Sequence, residues 1–274
     1  MTNHIKWTLN HLPPSEDSRL GIMSLENAAK ARAFHRSFPQ YAATPLTRLD
    51  GMARRLGLGG LWVKDESFRF GLNAFKVLGG SFAIARYIAG ELGRDVSELT
   101  YEYLTSARFR EEFGQATFFT ATDGNHGRGV AWAASRLGQK AVVHMPKGSA
   151  QVTIEEVNYD DCVRMAAAEA ARTPHGVVVQ DTAWEGYEEI PSWIMQGYAT
   201  MADEAAEQME ERPTHVFLQA GVGSMAGAVA GYFINRYPEH PPKFVVMEAE
   251  AADCHYRSAL TGDGKMRTVG GDLS

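Results

Sequence analysis

Lys76 is well placed in the sequence for covalent chemistry with a carbonyl compound. It stands between Phe75 and Val77 and is followed by Gly79 and Gly80. Only a neutral amine attacks an aldehyde to form an imine, and a dehydrated setting makes a lysine lose its proton more easily. A lysine at a helix start, with its alkyl stem on apolar neighbours and its ammonium in water, has the same local sequence. Lys76 alone leaves both interpretations open.

A glycine-rich turn follows the strand predicted over 214–219 and opens the next predicted helix; it runs Gly221-Val222-Gly223-Ser224-Met225. Backbone N–H groups at such a helix start can hold a phosphate. With Gly227 the spacing is G-x-G-x-x-x-G, one residue off the dinucleotide-binding pattern, and Glu248 ends the next strand where a ribose-binding acid would stand. The same glycines also suit a tight turn with close helix packing.

Two acids fall at the carboxyl ends of predicted strands, the edge where open α/β sheets bind ligands. Asp123 lies in the turn Asp123-Gly124-Asn125-His126 after the strand predicted over 116–121, and Asp181 follows the strand predicted over 176–180. Asp or Asn beside Gly before a helix is also ordinary capping chemistry. Taken alone, the first turn favours a cap, with His126 as a structural residue at the helix start.

Short apolar runs alternate with longer helical segments from residue 61 onward. The runs are β-branched or aromatic and nearly continuous, as expected where helices cover both faces of a parallel sheet. They predict strands over 61–64, 116–121, 140–145, 152–157, 176–180, 214–219 and 243–247. Helices are predicted over 24–38, 74–92, 126–137, 190–209 and 224–237. This order predicts an open α/β sheet.

The connection after Met145 is shorter than this pattern requires. A parallel crossover needs about a dozen residues, and the step from Met145 to the strand that begins at Val152 has about half of that. Either the two strands are not parallel neighbours, or residues are missing between Gln151 and Val152. The final residues also have the character of a loop that leads onward. We therefore expect the fold to be incompletely represented, with a longer chain continuing after Ser274.

Composition excludes several classes of function. The 274 residues carry 27 Lys plus Arg against 33 Asp plus Glu, a formal net charge of −6, with no basic run, so nucleic acid is not an expected partner. No apolar stretch approaches the roughly 18 residues of a membrane span, and no signal peptide opens the chain. Two cysteines, Cys162 and Cys254, cannot build a disulfide framework or a zinc site on their own, and no metal site is predicted. A cytoplasmic enzyme or binding protein is expected.

Several short motifs occur in one order along the chain. They are Thr44-Pro45-Leu46, Lys64-Asp65-Glu66-Ser67, Arg69-Phe70-Gly71-Leu72-Asn73-Ala74-Phe75-Lys76, Thr122-Asp123-Gly124-Asn125-His126-Gly127-Arg128-Gly129-Val130-Ala131-Trp132, Met145-Pro146-Lys147-Gly148-Ser149, Asp181-Thr182-Ala183-Trp184-Glu185-Gly186-Tyr187 and Gln219-Ala220-Gly221-Val222-Gly223. Together they resemble the pyridoxal-phosphate enzymes of fold type II, the tryptophan-synthase β family, and within it the diaminopropionate ammonia-lyases. So many matches in one order outweigh the structural alternatives for each single motif.

The resemblance implies a fold and an assembly. It implies two open twisted sheets flanked by helices. Residues 1–82 and 175–274 would form a large cofactor-binding domain that includes an N-terminal arm, 1–40, and residues 83–174 would form a smaller α/β domain. Because homodimers are common in this family, the resemblance also implies a homodimer.

The resemblance implies a site as well. Lys76 would hold pyridoxal 5'-phosphate covalently, and Asn125 would contact the ring hydroxyl oxygen. The phosphate would be bound by backbone N–H groups of one turn: Gly221, Val222, Gly223, Ser224 and Met225. In the lyase family the residue matching Asp123 is the base for the D-substrate, Lys76 is the base for the L-substrate, and the residue matching Asp181 assists substrate binding. The related dehydratases generally have a small neutral residue in place of Asp123, where a carboxylate can bind the second ammonium of a diamino acid.

These roles imply α,β-elimination of 2,3-diaminopropionate, D or L, to pyruvate and two ammonia by a carbon–nitrogen lyase that uses pyridoxal phosphate as an electron sink. Three alternatives remain. One is a serine or threonine dehydratase. Another is a nicotinamide-dependent oxidoreductase that uses the turn at Gly221 together with Glu248, and the last is a non-catalytic relative.

Overall fold

A computed structural model of the protein describes residues 5–12, 19–122, 124–146, 154–155 and 159–267. The helices are α1 (Leu25–Arg36), α2 (Asp50–Leu56), α3 (Lys76–Leu92), α4 (Tyr101–Leu104), α5 (Ala107–Phe113), α6 (Asn125–Arg136), α7 (Tyr159–Arg172), α8 (Glu189–Gln208), α9 (Ser224–Arg236) and α10 (Cys254–Thr261). The strands are β1 (Leu46–Arg48), β2 (Trp62–Lys64), β3 (Thr117–Ala121), β4 (Lys140–Pro146), β5 (Ile154–Glu155), β6 (Gly176–Val178), β7 (His215–Gln219) and β8 (Lys243–Met247). Every strand and helix predicted from the sequence is present among the described residues. Their ends differ slightly from the prediction, and of the strand predicted over 152–157 the structure describes residues 154–155.

Four parallel strands form the larger sheet, in the order β5-β4-β3-β6. In β3, Phe118 and Phe119 are adjacent, so their side chains point to opposite faces of the sheet. Phe118 lies in the main core with Val130 of α6, whereas Phe119 packs with Ala166 of α7. Helices therefore cover both faces of the sheet, which explains why its strands are apolar without alternation.

A second parallel sheet is formed by β7 and β8, which pair from His215 opposite Lys243 to Gln219 opposite Met247. The helix α9 connects these two strands. β1 and β2 form a separate antiparallel pair. The predicted α/β fold, with two open sheets flanked by helices, is confirmed. The domain division, with 83–174 as the smaller domain, stays a prediction.

The strands β4 and β5 are parallel neighbours, with Met145 opposite Ile154 and Pro146 opposite Glu155. The first explanation of their short connection, that the two strands are not parallel neighbours, is therefore wrong. The connection itself, 147–153, lies outside the described residues. The expectation that residues are missing after Gln151 stays a prediction.

The helix α1 packs into the core, although it falls within the N-terminal arm predicted over 1–40. Its His35 is buried and connects three helices, because Nε2 donates to the Leu78 oxygen of α3 over 3.1 Å and Nδ1 accepts from the Thr200 hydroxyl of α8 over 2.7 Å. Burial and the nearby charge of Arg69 lower the pKa of His35 to about 3. The ring is therefore neutral in this tautomer at ordinary pH.

The helix α3 is the central helix of the core, and its residues 77–85 are all buried. Two glycines let other helices approach its backbone. A Cβ on Gly129 of α6 would lie 2.7 Å from the Val77 Cα and 3.2 Å from the Lys76 carbonyl carbon. A Cβ on Gly197 of α8 would overlap the Leu78 carbonyl oxygen. The first turn of α3, which carries Lys76, is therefore held between the backbones of α6 and α8.

We expect Gly129→Ala to lower the free energy of unfolding by about 1–3 kcal/mol, because the added methyl meets backbone atoms that cannot rotate away. Gly90→Ala is the matched control, since Gly90 also lies inside a helix but its Cβ would meet nothing within 4 Å. Gly90→Ala should leave stability unchanged or raise it by up to about 1 kcal/mol. Urea unfolding measures both variants, and a Gly129→Ala protein as stable as Gly90→Ala would contradict the close approach.

Candidate active site

The first residue of α3 and the segments that follow β6 and β7 meet at one place. Lys76 Nζ lies 2.9 Å from Asp181 Oδ2. The hydroxyl of Ser224, the first residue of α9, donates to the backbone oxygen of Asp181 over 2.8 Å. A cavity of about 200 Å³ lies beside them, and its lining includes Asp181, Ala183, Val222, Gly223, Ser224 and His255. The structure thus brings together Lys76, Asp181 and the glycine-rich turn.

The backbone before Lys76 has an uncommon conformation. Phe70 and Asn73 have φ angles of 51° and 57°, in the left-handed region that non-glycine residues rarely adopt. Arg128 of α6 donates a hydrogen bond to the Leu72 carbonyl oxygen and so holds this segment from outside. The Lys76 side chain that follows remains 32% exposed. Its amine is therefore both fixed near Asp181 and accessible to a small molecule.

Asp181 is a buried carboxylate with two basic neighbours. Its side chain is 5% exposed, and its Oδ2 lies 2.9 Å from Lys76 Nζ and 3.9 Å from His126 Nδ1. Burial raises the pKa of the Asp181 carboxyl, but the charges of His126 and Lys76 together with the Lys76 hydrogen bond outweigh burial, so the pKa lies below its ordinary value. Asp181 is ionised at neutral pH and can attract an ammonium group.

The turn that follows β3 is described only in part, because Asp123 lies outside the described residues. Asn125 is the first residue of α6, and its Oδ1 accepts a hydrogen bond from Arg128 over 3.1 Å. His126 Nε2 donates to the Val179 oxygen over 2.9 Å, which ties the start of α6 to the end of β6. His126 therefore has the structural role predicted for it. Gly124 occupies the capping position of α6 and offers no side chain for that purpose.

The glycine-rich turn forms the start of α9. Gly223 has a φ angle of 93°, and a Cβ there would lie 2.5 Å from His255 Nε2, so both conformation and space require glycine. The first N–H groups of a helix lack partners within the helix and can bind an anion. Val222 lines the cavity and is half-exposed, whereas Met225 packs against the core. This arrangement accommodates both the tight turn and a bound phosphate.

A buried ion network, which the sequence analysis missed, anchors the segment before Lys76. Arg69 donates to both oxygens of Glu204 over 2.8 and 2.7 Å, and both side chains are almost completely buried. Arg69 also donates to Glu66, and Lys64 Nζ donates to Glu204 over 2.8 Å. Burial raises the pKa of Glu204, but the hydrogen bond and charge of Arg69 outweigh burial and lower it to about 2. The network ties the backbone at Glu66–Gly71 to α8.

Glu248 binds the start of α10. Its Oε1 accepts from the backbone N–H of His255 over 2.9 Å and from the His255 ring Nδ1 over 2.7 Å. Its Oε2 accepts from the Tyr256 N–H over 2.8 Å. The carboxylate is therefore occupied by protein groups. This removes the basis for the nicotinamide alternative, which assigned Glu248 to a ribose.

Cys254 joins the same cluster. Its Sγ lies 3.4 Å from Glu248 Oε1 and 3.3 Å from His255 Nδ1. One donor atom from each of the three residues lies within 4.8 Å of the others, and such sulfur, nitrogen and oxygen donors are a set that zinc accepts. The cysteine count alone could not indicate this group, because the other two donors come from different residue types.

Two aromatic side chains follow Asp181. Trp184 stacks on Tyr187 with ring centroids 4.1 Å apart and is 39% exposed. The Tyr187 hydroxyl accepts from the Gln180 N–H over 2.7 Å and donates to the Val178 oxygen over 3.0 Å. The stacked pair is thereby fixed to the end of β6.

The fold and the site together define an enzyme class. Residues 38–270 match the profile described as "Pyridoxal-phosphate dependent enzyme". The chain belongs to that family and has its fold type II architecture, and its cofactor is pyridoxal phosphate.

Within the family the chain is similar to diaminopropionate ammonia-lyases. It is 52% identical to the enzyme of Salmonella typhimurium over 88% of this chain and 64% of the relative, and 50% identical to the enzyme of Escherichia coli over 92% of this chain and 66% of the relative. A crystal structure of the Escherichia coli enzyme in complex with an aminoacrylate-PLP azomethine reaction intermediate has a TM-score of 0.82 and 47% identity, covering 93% of this chain and 67% of that chain. The chain spans just under two thirds of the length of the curated relatives.

The described residues fit pyridoxal phosphate. Lys76 offers an accessible amine for covalent attachment, held by a buried carboxylate. Beside it, Gly223 has a left-handed conformation at the start of a helix, next to the cavity, where the first backbone N–H groups of the helix can meet an anion. The amine and the anion-binding turn are the two features that an aldehyde carrying a phosphate requires.

We expect Glu204→Gln to lower the free energy of unfolding by about 3 kcal/mol at neutral pH, because it leaves the buried Arg69 charge less compensated. The pKa of Glu204 is about 2 in the folded protein and ordinarily 4.5, so its carboxylate contributes stability that is present above pH 4.5 and lost as the pH falls toward 2. The variant lacks this contribution. The stability difference between wild type and variant should therefore shrink as the pH is lowered below 4.5.

Urea unfolding at several pH values measures this difference. Glu211→Gln serves as the control because Glu211 is exposed, and it should change stability by less than about 0.5 kcal/mol at every pH. A difference for Glu204→Gln that stays constant between neutral and acid pH would contradict the role assigned to its charge.

Proposed function

We propose that the protein catalyses the pyridoxal-phosphate-dependent α,β-elimination of 2,3-diaminopropionate, as either enantiomer, to pyruvate and two ammonia. The observation that carries the proposal is the contact between the accessible amine of Lys76 and the buried carboxylate of Asp181 beside the glycine-rich turn. The similarity to curated diaminopropionate ammonia-lyases at about 50% identity supports the choice of substrate.

Three parts of the site would hold the cofactor. Lys76 would bind it covalently, and the side chain of Asn125 at the start of α6 would contact the ring hydroxyl oxygen. The phosphate would be held by backbone N–H groups of the turn Gly221, Val222, Gly223, Ser224 and Met225. When bound, the cofactor takes up the electrons that removal of the Cα proton leaves behind.

Lys76, Asp123 and Asp181 would share the proton transfers and the binding of charge. Lys76 as the neutral amine would remove the Cα proton of the L-substrate, and Asp123 would remove that of the D-substrate from the opposite face. Asp181 is ionised and buried, so it would hold an ammonium group of the substrate close to Lys76. Release of the β-amino group as ammonia then needs only a short proton transfer within this cluster.

A serine or threonine dehydratase is the second candidate, because it would use the same lysine and the same glycine-rich turn. A carboxylate at position 123 favours a substrate with two ammonium groups over a hydroxy-amino acid. The ammonia-lyase is therefore the preferred function.

We also propose a cytoplasmic homodimer. The support for both is the resemblance to the family, in which small-molecule amino acids are the substrates and two-fold assembly is common. Within the part of the chain that the structure describes, no helix is both long and apolar enough to cross a bilayer.

We expect borohydride reduction of the protein saturated with pyridoxal phosphate to attach the cofactor permanently to Lys76. Lys76→Ala should lose the label and the visible absorbance, because no other amine lies within hydrogen-bond distance of Asp181 among the described residues. Lys265→Ala is the control, since Lys265 is exposed and far along the chain from the site, and it should keep the label. Peptide mass mapping gives the answer, and a label on another lysine would refute the cofactor site.

We expect kcat/KM for ammonia release from 2,3-diaminopropionate to exceed that for D- and L-serine. Asp123→Asn should lower kcat/KM for D-diaminopropionate by about 10²–10⁴-fold and that for the L-enantiomer much less, because only the D-substrate would lose its base. A coupled assay for pyruvate measures all four substrates. Higher activity with serine would instead support the dehydratase, and equal losses for both enantiomers would remove the assigned role of Asp123.

A further inference from the structure

The pair Glu248 and His255 lies beside the glycine-rich turn and is not used by the proposed reaction. Glu248 holds the ring through a hydrogen bond of 2.7 Å to Nδ1 and holds the backbone of the same residue through a second hydrogen bond of 2.9 Å. These two hydrogen bonds fix the orientation of the His255 ring. Its other nitrogen, Nε2, is left to face away from Glu248.

His255 Nε2 lies against Gly223 of the glycine-rich turn. A Cβ built on Gly223 would lie 2.5 Å from Nε2 and 3.1 Å from the adjacent ring carbon Cε1. His255 also lines the cavity together with Gly223 and Ser224. The free edge of the imidazole is thus directed toward the start of α9, where the first helical N–H groups are available to an anion.

The two carboxylates near the ring are both engaged by protein groups. Burial raises the pKa of Glu248, but hydrogen bonds from the His255 and Tyr256 backbone and from the His255 ring outweigh burial and lower it, so the carboxylate is charged. Nδ1 is already bound to Glu248, so Nε2 is the ring nitrogen that can contact an oxygen at the turn. The other acid that lines the cavity, Asp181, is already paired with Lys76.

We propose that His255 is a binding residue for the phosphate group held at the turn Gly221–Ser224, with Nε2 as the donor and Glu248 as the positioning residue. The inference rests on the proposed function, because the phosphate in question is that of the cofactor. The turn itself would bind the phosphate only through backbone N–H groups, and His255 would add one contact from a side chain. Such a site would favour a ligand that carries a phosphate monoester.

The test compares pyridoxal phosphate with pyridoxal, which has the same aldehyde and ring but no phosphate. Fluorescence titration of the apoprotein in the presence of EDTA gives both dissociation constants. A charge-assisted hydrogen bond is typically worth about a tenfold change in affinity or more. We therefore expect His255→Leu to weaken pyridoxal phosphate by about 10-fold or more and pyridoxal by less than about 2-fold. His240→Gln, at an exposed histidine, is the control and should change neither.

Glu248→Gln tests the positioning role. It keeps an oxygen that can accept from the α10 backbone but removes the charge that orients His255. We expect it to weaken pyridoxal phosphate in the wild-type background and to have no further effect when combined with His255→Leu, because the two residues act on one contact. Additive losses in the double variant would show that Glu248 acts only on the fold, and would overturn this part of the proposal.

A spectroscopic measurement covers the case in which a variant folds poorly. The ³¹P resonance of bound pyridoxal phosphate should shift between wild type and His255→Gln, because the group that donates to the phosphate changes from a ring nitrogen to an amide. Equal weakening of pyridoxal phosphate and pyridoxal, or an unshifted resonance, would each overturn the proposal. Failure of Lys76 labelling in the wild type would instead refute the proposed function itself, so the two failures are distinguishable.

Discussion

The ion pair between Lys76 and Asp181 is the contact around which the site is built. A carboxylate that is 5% exposed requires a partner, and Lys76 Nζ at 2.9 Å is that partner. For the pair to form, the first turn of α3 must lie at the end of β6. It can do so because Gly129 and Gly197 let the backbones of α6 and α8 come into direct contact with it. The close packing of α3, α6 and α8 is therefore what places the Lys76 amine beside Asp181.

The loop that leads to Lys76 is fixed at both ends by charge. At its start Arg69 is held by Glu204 and Glu66, and at its end Lys76 is held by Asp181. Between them lie residues with left-handed backbone conformations, which are costly unless the surroundings hold them. The segment from Arg69 to Lys76 is thus held by one ion pair at each end. The Arg69–Glu204 pair is almost completely buried and anchors the segment, whereas the Lys76–Asp181 pair is partly exposed and leaves the amine accessible.

The long elements of the fold could be predicted because large apolar side chains mark them. The helices α7 and α10 were missed for physical reasons. α7 buries Cys162, Ala166 and Ala170, which give a weak apolar signal, and α10 begins where Glu248, from outside the helix, binds its first backbone N–H groups. α4 and α5 are too short to establish a helical period.

The candidate site was predictable to the extent that its chemistry is local in sequence. Lys76 and the glycine-rich turn carry their signals in adjacent residues. The contact of Arg69 with Glu204 joins residues 135 positions apart, and the residues next to Glu204 in the sequence do not predict it. The role proposed for His255 likewise depends on its short distance to Gly223, at the start of another helix. Such pairs follow from the fold and become visible only once the fold is known.

The stacked rings of Trp184 and Tyr187 give the site an optical reporter of its own. Trp184 lies three positions after Asp181, is 39% exposed and is held in one orientation by the bonded hydroxyl of its stacking partner. An indole emits in the range where pyridoxal phosphate absorbs, so pyridoxal phosphate bound near Asp181 would quench that emission by energy transfer. Occupancy of the cavity can therefore be followed by intrinsic fluorescence, without a dye and without turnover.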